Sequence, residues 1–167
     1  RNIIILVFVN YQAISVLLTA AAPEFSTRRV VSQPTSGEIK ATVAALKKFP
    51  HVNASYDAAN QEVIHKHYYN IGVAVDTPGG LVVPVIKNAD QKGVKELAVE
   101  LAELSARARE GKLKSSDLSG GSFSISSLGG IGGTAFTPLI NPPEVAILGI
   151  GRMTKKPVWD GTQFVPR

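Results

Sequence analysis

One stretch limits the folds open to this chain more than any other. Residues 122–134 read Ser-Phe-Ser-Ile-Ser-Ser-Leu-Gly-Gly-Ile-Gly-Gly-Thr, a strand pattern running straight into a glycine loop. From Ser122 to Ser127, small polar residues alternate with Phe123 and Ile125, the period of two expected of a half-buried strand. Ser126 and Ser127 then stand at the strand's end. Gly129, Gly130, Gly132 and Gly133 allow positive φ and let a second molecule come close, which a loop bearing side chains resists. Two readings are open: a turn between strands without chemistry, or a serine hydroxyl presented to a slender ligand or a second chain. A nucleotide cradle is disfavoured, because no Gly-Lys-Ser/Thr follows the glycines.

A serine nucleophile would need a nearby base and the Gly-x-Ser-x-Gly elbow, which is missing here. A strand-end serine suits a different task, hydrogen-bond donation to an oxyanion, and that task leaves acid-base chemistry to another residue. His65 and His67 are two apart, so on a strand they would share one face and could offer two metal ligands. No third ligand stands at a helpful spacing, and Lys66, Tyr68 and Tyr69 read as ordinary strand surface, so no metal is expected. His51 follows Phe49-Pro50 in a loop and has no stronger claim. The absence of cysteine excludes disulfides, thiolate nucleophiles and cysteine-ligated zinc.

At 167 residues and 44% hydrophobic, the chain can bury a core of one domain but is crowded for two. The formal charge of +5 is scattered over lysines such as Lys47, Lys48, Lys87, Lys92, Lys95, Lys112, Lys114, Lys155 and Lys156, not gathered into an arginine block. Nucleic acid is therefore disfavoured as a partner; a basic surface also attracts an anionic small molecule. Residues 3–9 and 13–22 are almost uncharged, open to reading as a signal peptide, a membrane span or a buried strand and helix. We take the last, so no membrane association is expected, and residues 1–35 read as an atypical N-terminal segment before a domain at 36–167.

Within that domain a helix begins with Ser36 as cap. Ile39, Val43 and Leu46 recur at helical spacing, Lys47 and Lys48 complement the dipole, and Phe49-Pro50 stops it. Residues 62–76 and 81–86 read as strands joined through Thr77-Pro78-Gly79-Gly80, with Pro84 marking an edge or irregular strand. Val94, Leu97, Ala98, Leu101, Leu104 and Ala108 trace one face of a second helix, ended at Gly111. Residues 144–150 form a nearly continuous apolar run, as in a strand buried on both faces. Residues 158–165 read as a last hairpin, with Asp160-Gly161 suited to a type I′ turn. Helices with parallel and antiparallel strands predict an α/β two-layer sandwich with a mixed sheet.

Three blocks carry a resemblance. They are Asn70-Ile-Gly-Val-Ala-Val-Asp-Thr-Pro-Gly-Gly-Leu-Val-Val-Pro-Val-Ile86, Gly120-Gly-Ser-Phe-Ser-Ile-Ser-Ser-Leu-Gly129, and Gly133-Thr-Ala-Phe-Thr-Pro-Leu-Ile-Asn-Pro-Pro-Glu-Val-Ala-Ile-Leu-Gly149. With Phe49-Pro50, Asn53-Ala54-Ser55 and Pro157-Val-Trp-Asp-Gly161, they resemble the catalytic domain of the dihydrolipoamide acyltransferases, cores of 2-oxoacid dehydrogenase complexes. The resemblance runs from about residue 44 to residue 167. It implies a chloramphenicol-acetyltransferase-like fold in homotrimers that build a larger hollow core with other subunits of the complex. It also implies a channel between subunits that admits coenzyme A at one end and the lipoyl arm of a carrier domain at the other. A histidine of one subunit would take the coenzyme A thiol proton, and a serine of the facing subunit, Ser126 here, would stabilise the tetrahedral oxyanion. Ser126 to Phe136 and the Pro157 block are similar to the acetyl-transferring, pyruvate dehydrogenase type.

Two departures accompany it. The family's Asp-His-Arg-x-x-x-Gly motif falls beyond the position of Arg167, and none of His51, His65 or His67 lies in such a motif. Residues 1–40 do not show the family's usual lead-in. The expectation is therefore a partial acetyltransferase domain, inactive as it stands, moving acetyl from lipoamide to coenzyme A in its full-length form. The alternative is a non-catalytic structural or assembly subunit. Bacterial cytoplasm is the expected compartment, with the mitochondrial matrix next.

Overall fold

The computed structural model describes residues 5–8, 35–128, 136–151 and 157–166. Gly129, Gly130, Gly132 and Gly133, like most of the N-terminal segment, lie outside the described residues.

A short strand, β1 (Ile5–Phe8), precedes the helix α1 (Thr35–Lys48). Ile39, Val43 and Leu46 are buried at the helical spacing seen in the sequence. Ser36 lies inside this helix and is 5% exposed, so it is not the cap that its residue type suggested. A 3-10 turn at Pro50–Val52 leads into the hairpin β2 (Ala54–Asp57) and β3 (Glu62–His65). The sequence pattern ran β3 on through residue 76 as one strand, yet β3 ends at His65 and pairs backwards with β2. The turn is made by Asp57, whose Oδ1 accepts the Ala59 and Asn60 N–H groups at 2.9 and 3.3 Å.

Next come β4 (Ile71–Val73), β5 (Val75–Thr77), β6 (Gly80–Val82) and β7 (Val85–Ile86). The β5–β6 hairpin turns at the expected place, with Thr77 opposite Gly80. Pro84 breaks β6 from β7 and is fully buried; its carbonyl accepts the Val73 N–H at 3.0 Å. Helix α2 (Val94–Arg109) buries Leu97, Leu101, Leu104 and Ala108, and Glu96 Oε2 accepts the Gly93 N–H at its start. Gly111, with φ of +68°, turns the chain out of the helix.

The last strands are β8 (Phe123–Ser127), β9 (Ala146–Ile150), β10 (Pro157–Trp159) and β11 (Phe164–Pro166). The β10–β11 hairpin pairs Trp159 with Phe164, so its loop has four residues and is not a two-residue type I′ turn. Asp160 organises that loop by accepting the Thr162 and Gln163 N–H groups, each at 2.9 Å.

The central sheet has the order β1-β9-β8-β4-β7, parallel except at β7. Ile71, Val73, Ile86, Phe123, Ile125, Ala146, Leu148 and Ile150 face α1 and α2 and join their stripes in one core. This is the mixed-sheet, two-layer α/β architecture that the sequence predicts. The other face is not open, however. Ser122 and Ser124 are 2% and 1% exposed, so β8 is buried on both faces over most of its length. The chain returns across that face: Pro138 lies on Gly149, and the Tyr56 N–H of β2 donates to Pro143 at 3.0 Å.

Candidate active site

Ser126 is placed by the sheet. It lies near the C-terminal end of β8, the middle strand of five, and pairs with Gly149 of β9. In an open sheet of parallel strands the crevice beyond the carboxyl ends is where ligands bind. Ser126 is half-buried, not entombed like Ser122 and Ser124. Among the described residues its hydroxyl has no hydrogen-bond partner.

The start of β8 is stapled in place by Asn70, which sequence reasoning did not single out. Its Nδ2 donates to the Gly120 carbonyl at 2.7 Å and its Oδ1 accepts the Asn88 N–H at 2.9 Å. Its backbone carbonyl accepts the Ser122 N–H at 2.8 Å. One residue thus ties the entrance of β8 to the start of β4 and the turn after β7.

Two glycines make room along the serine face. A Cβ on Gly72 would stand 2.8 Å from Val83 Cγ1 and 2.9 Å from Ser124 Oγ. A Cβ on Gly149 would stand 3.1 and 3.2 Å from Pro138 Cγ and Cδ, and 3.4 Å from Phe136 Cζ. Below Ser126 on the same face, Ser124 meets the carboxyl of Glu144, a residue the sequence pattern had placed in the last core strand. Glu144 instead precedes β9 and bridges to Ser55. Burial pushes its pKa up from 4.5 to about 7. The Ser124 hydroxyl opposes this only weakly, since Ser124 Oγ and Glu144 Oε2 both lack a partner of ordinary hydrogen-bond geometry.

The histidines are elsewhere. His51 sits in the 3-10 turn, His65 ends β3 with Nδ1 3.3 Å from the Pro50 carbonyl oxygen, and His67 lies in the bend after that strand. His65 and His67 therefore do not share a strand face as their spacing had allowed. Among the described residues no cluster of three or more potential ligands could hold a metal ion, and no helix is long and apolar enough to cross a membrane.

The site is thus a helix-backed mixed sheet that presents a hydroxyl near the end of its central strand. The sequence profile of the family "2-oxoacid dehydrogenases acyltransferase (catalytic domain)" matches residues 5–167, and the chain belongs to that family. It is 64% identical over 129 residues to the dihydrolipoyllysine-residue acetyltransferase component of the pyruvate dehydrogenase complex of Cupriavidus necator. That match takes in 77% of this chain and 23% of the relative. The corresponding Haemophilus influenzae component is 57% identical over 129 residues, again 77% of this chain and 23% of the relative. The chain thus spans about a quarter of these proteins' length.

Among solved structures, it superposes with a TM-score of 0.78 and 47% identity on Azotobacter vinelandii dihydrolipoamide acetyltransferase, covering 93% of this chain and 63% of that one. That structure comes from a study of the catalytic roles of one serine, one histidine and one asparagine. The cubic core of the pyruvate dehydrogenase multienzyme complex gives the same values. The fold is therefore the chloramphenicol-acetyltransferase-like one that the resemblance implied.

Proposed function

We infer that this chain is catalytic-domain sequence of a dihydrolipoamide acetyltransferase, which moves an acetyl group from S-acetyldihydrolipoamide to coenzyme A. The observation that carries this reading is Ser126: a half-buried hydroxyl without a protein partner among the described residues, at the carboxyl end of the central strand beside a bare glycine. The names of the relatives and the catalytic serine of the Azotobacter enzyme support it.

The chemistry divides between two groups. A histidine, supplied by the family's Asp-His-Arg-x-x-x-Gly motif on a facing subunit, takes the proton from the coenzyme A thiol, because the thiolate is the nucleophile. The thiolate sulfur adds to the thioester carbonyl, and the Ser126 O–H donates to the oxyanion that forms. Collapse of the tetrahedral intermediate breaks the bond to the dihydrolipoyl sulfur, which recovers the proton from the imidazolium. His51 in the 3-10 turn, His65 at the end of β3 and His67 in the bend after it all lie outside that motif. These 167 residues alone are therefore expected not to turn over.

Coenzyme A and a carrier-borne lipoyl group are the substrates, and the positive balance of +5 suits the anionic coenzyme. Homotrimers building a larger core are the proposed assembly, in line with the cubic core of the structural relative. Bacterial cytoplasm is the proposed compartment.

The test is Ser126→Ala in the complete acetyltransferase, where kcat falls by about 10²–10³ with KM for coenzyme A little changed, the loss typical of one oxyanion donor. Turnover within a few-fold of the parent would overturn the oxyanion role of Ser126, and a complete protein that transfers no acetyl group at all would favour the structural subunit instead.

A further inference from the structure

The face of the sheet that carries Ser126 holds a second feature. Ser126 and Gly149 are paired on adjacent parallel strands, so position 149 is the serine's lateral neighbour on the same face. Gly149 has no side chain, and the space above it is taken by Phe136 and Pro138, whose ring atoms come within 3.1 to 3.4 Å of where a Cβ would stand. Pro138 is buried and Phe136 half-buried, while Thr137 between them is exposed and Leu139 after them is 87% exposed. The segment therefore turns two rings toward the sheet and the alternate side chains away.

Those rings offer no hydrogen bond, so they add nothing to oxyanion stabilisation. They offer a stiff apolar wall. In a thioester the alkyl group is bonded to the same carbon as the oxygen that Ser126 would receive, so it must lie within a side chain's reach of the serine. We propose that Phe136, seated with Pro138 on the bare Gly149 beside Ser126, is a specificity-determining residue that admits a short acyl group and excludes longer or branched ones. This rests on the acyl-transfer reading of Ser126.

The experiment measures kcat/KM of the complete enzyme for S-acetyl-, S-propionyl- and S-isobutyryl-dihydrolipoamide in the parent, in Phe136→Ala and in Phe136→Leu. One methylene in an apolar pocket is worth about 10–200-fold in discrimination. Phe136→Ala is therefore expected to raise the isobutyryl-to-acetyl ratio at least about tenfold, with Phe136→Leu intermediate. Because the readout is a ratio within one variant, a partial loss of folded protein cancels, and Phe136→Leu keeps an apolar side chain in place should the alanine variant fail to fold. Ratios unchanged in both variants, with Ser126→Ala inactive, would overturn this inference alone. Full activity in Ser126→Ala would overturn the oxyanion role of Ser126 and this inference with it.

Discussion

At Gly149 a single absent methyl group lets Pro138 and Phe136 lie against the sheet beside Ser126. Gly149→Ala would press a Cβ to 3.1 Å from a buried proline ring, which has no rotamer to escape into. Overpacking of this kind typically costs about 1–3 kcal/mol. We expect a loss of that size in urea unfolding, and a variant as stable as the parent would show that the segment over Gly149 yields freely. Ser126 was legible in the sequence because alternation and the glycine loop mark a strand end by local pattern alone. Glu144 was not: it stands at the head of an apolar run, and only the returning chain reveals that its carboxyl is buried under β8. Asn70 was equally silent, since no local pattern announces that one amide will meet partners 18 and 50 residues away.

Elements were readable to the extent that their cause is short-range. The α2 stripe reads directly as the buried set Leu97, Leu101, Leu104 and Ala108, because each turn of a helix repeats the same face. The β5–β6 turn follows from Pro78 and Gly79 in the same way. The β2–β3 hairpin has no glycine at its tip; Gln61 supplies the left-handed residue with φ of 56°, and the Asp57 side chain replaces the usual turn signal. How β8 is anchored belongs to this scale as well. Removing the two side-chain hydrogen bonds of Asn70, each worth about 1 kcal/mol net, should destabilise Asn70→Ala by about 1–3 kcal/mol in thermal or denaturant melts. Stability equal to the parent would mean that β8 is held by its ladder alone.

For the molecule as a whole, two buried carboxyls govern the response to pH. Burial raises both Glu38 and Glu144 from 4.5 to about 7, and Glu38 is 4% exposed with Oε2 unpartnered among the described residues. The folded state therefore holds more protons than the unfolded chain between pH 4.5 and about 7, and linkage makes stability fall as pH rises through that window, levelling off above it. Denaturant midpoints measured from pH 5 to 8 should show this decline. Glu38→Gln and Glu144→Gln, which mimic the neutral acid, should each remove part of the slope, and an unchanged slope in both would show that neither carboxyl is protonated in the fold. The sequence by itself determined the helix faces, the turn chemistry and the presentation of Ser126 at a strand end, because those depend on residues within a turn or two of one another. Only the tertiary structure decided the strand order β1-β9-β8-β4-β7, the burial of the serine face, and the meeting of Glu144, Pro138 and Phe136 with it. Such contacts join segments far apart in the chain, and their free energy comes from apolar surface that is buried only once the whole sheet has assembled.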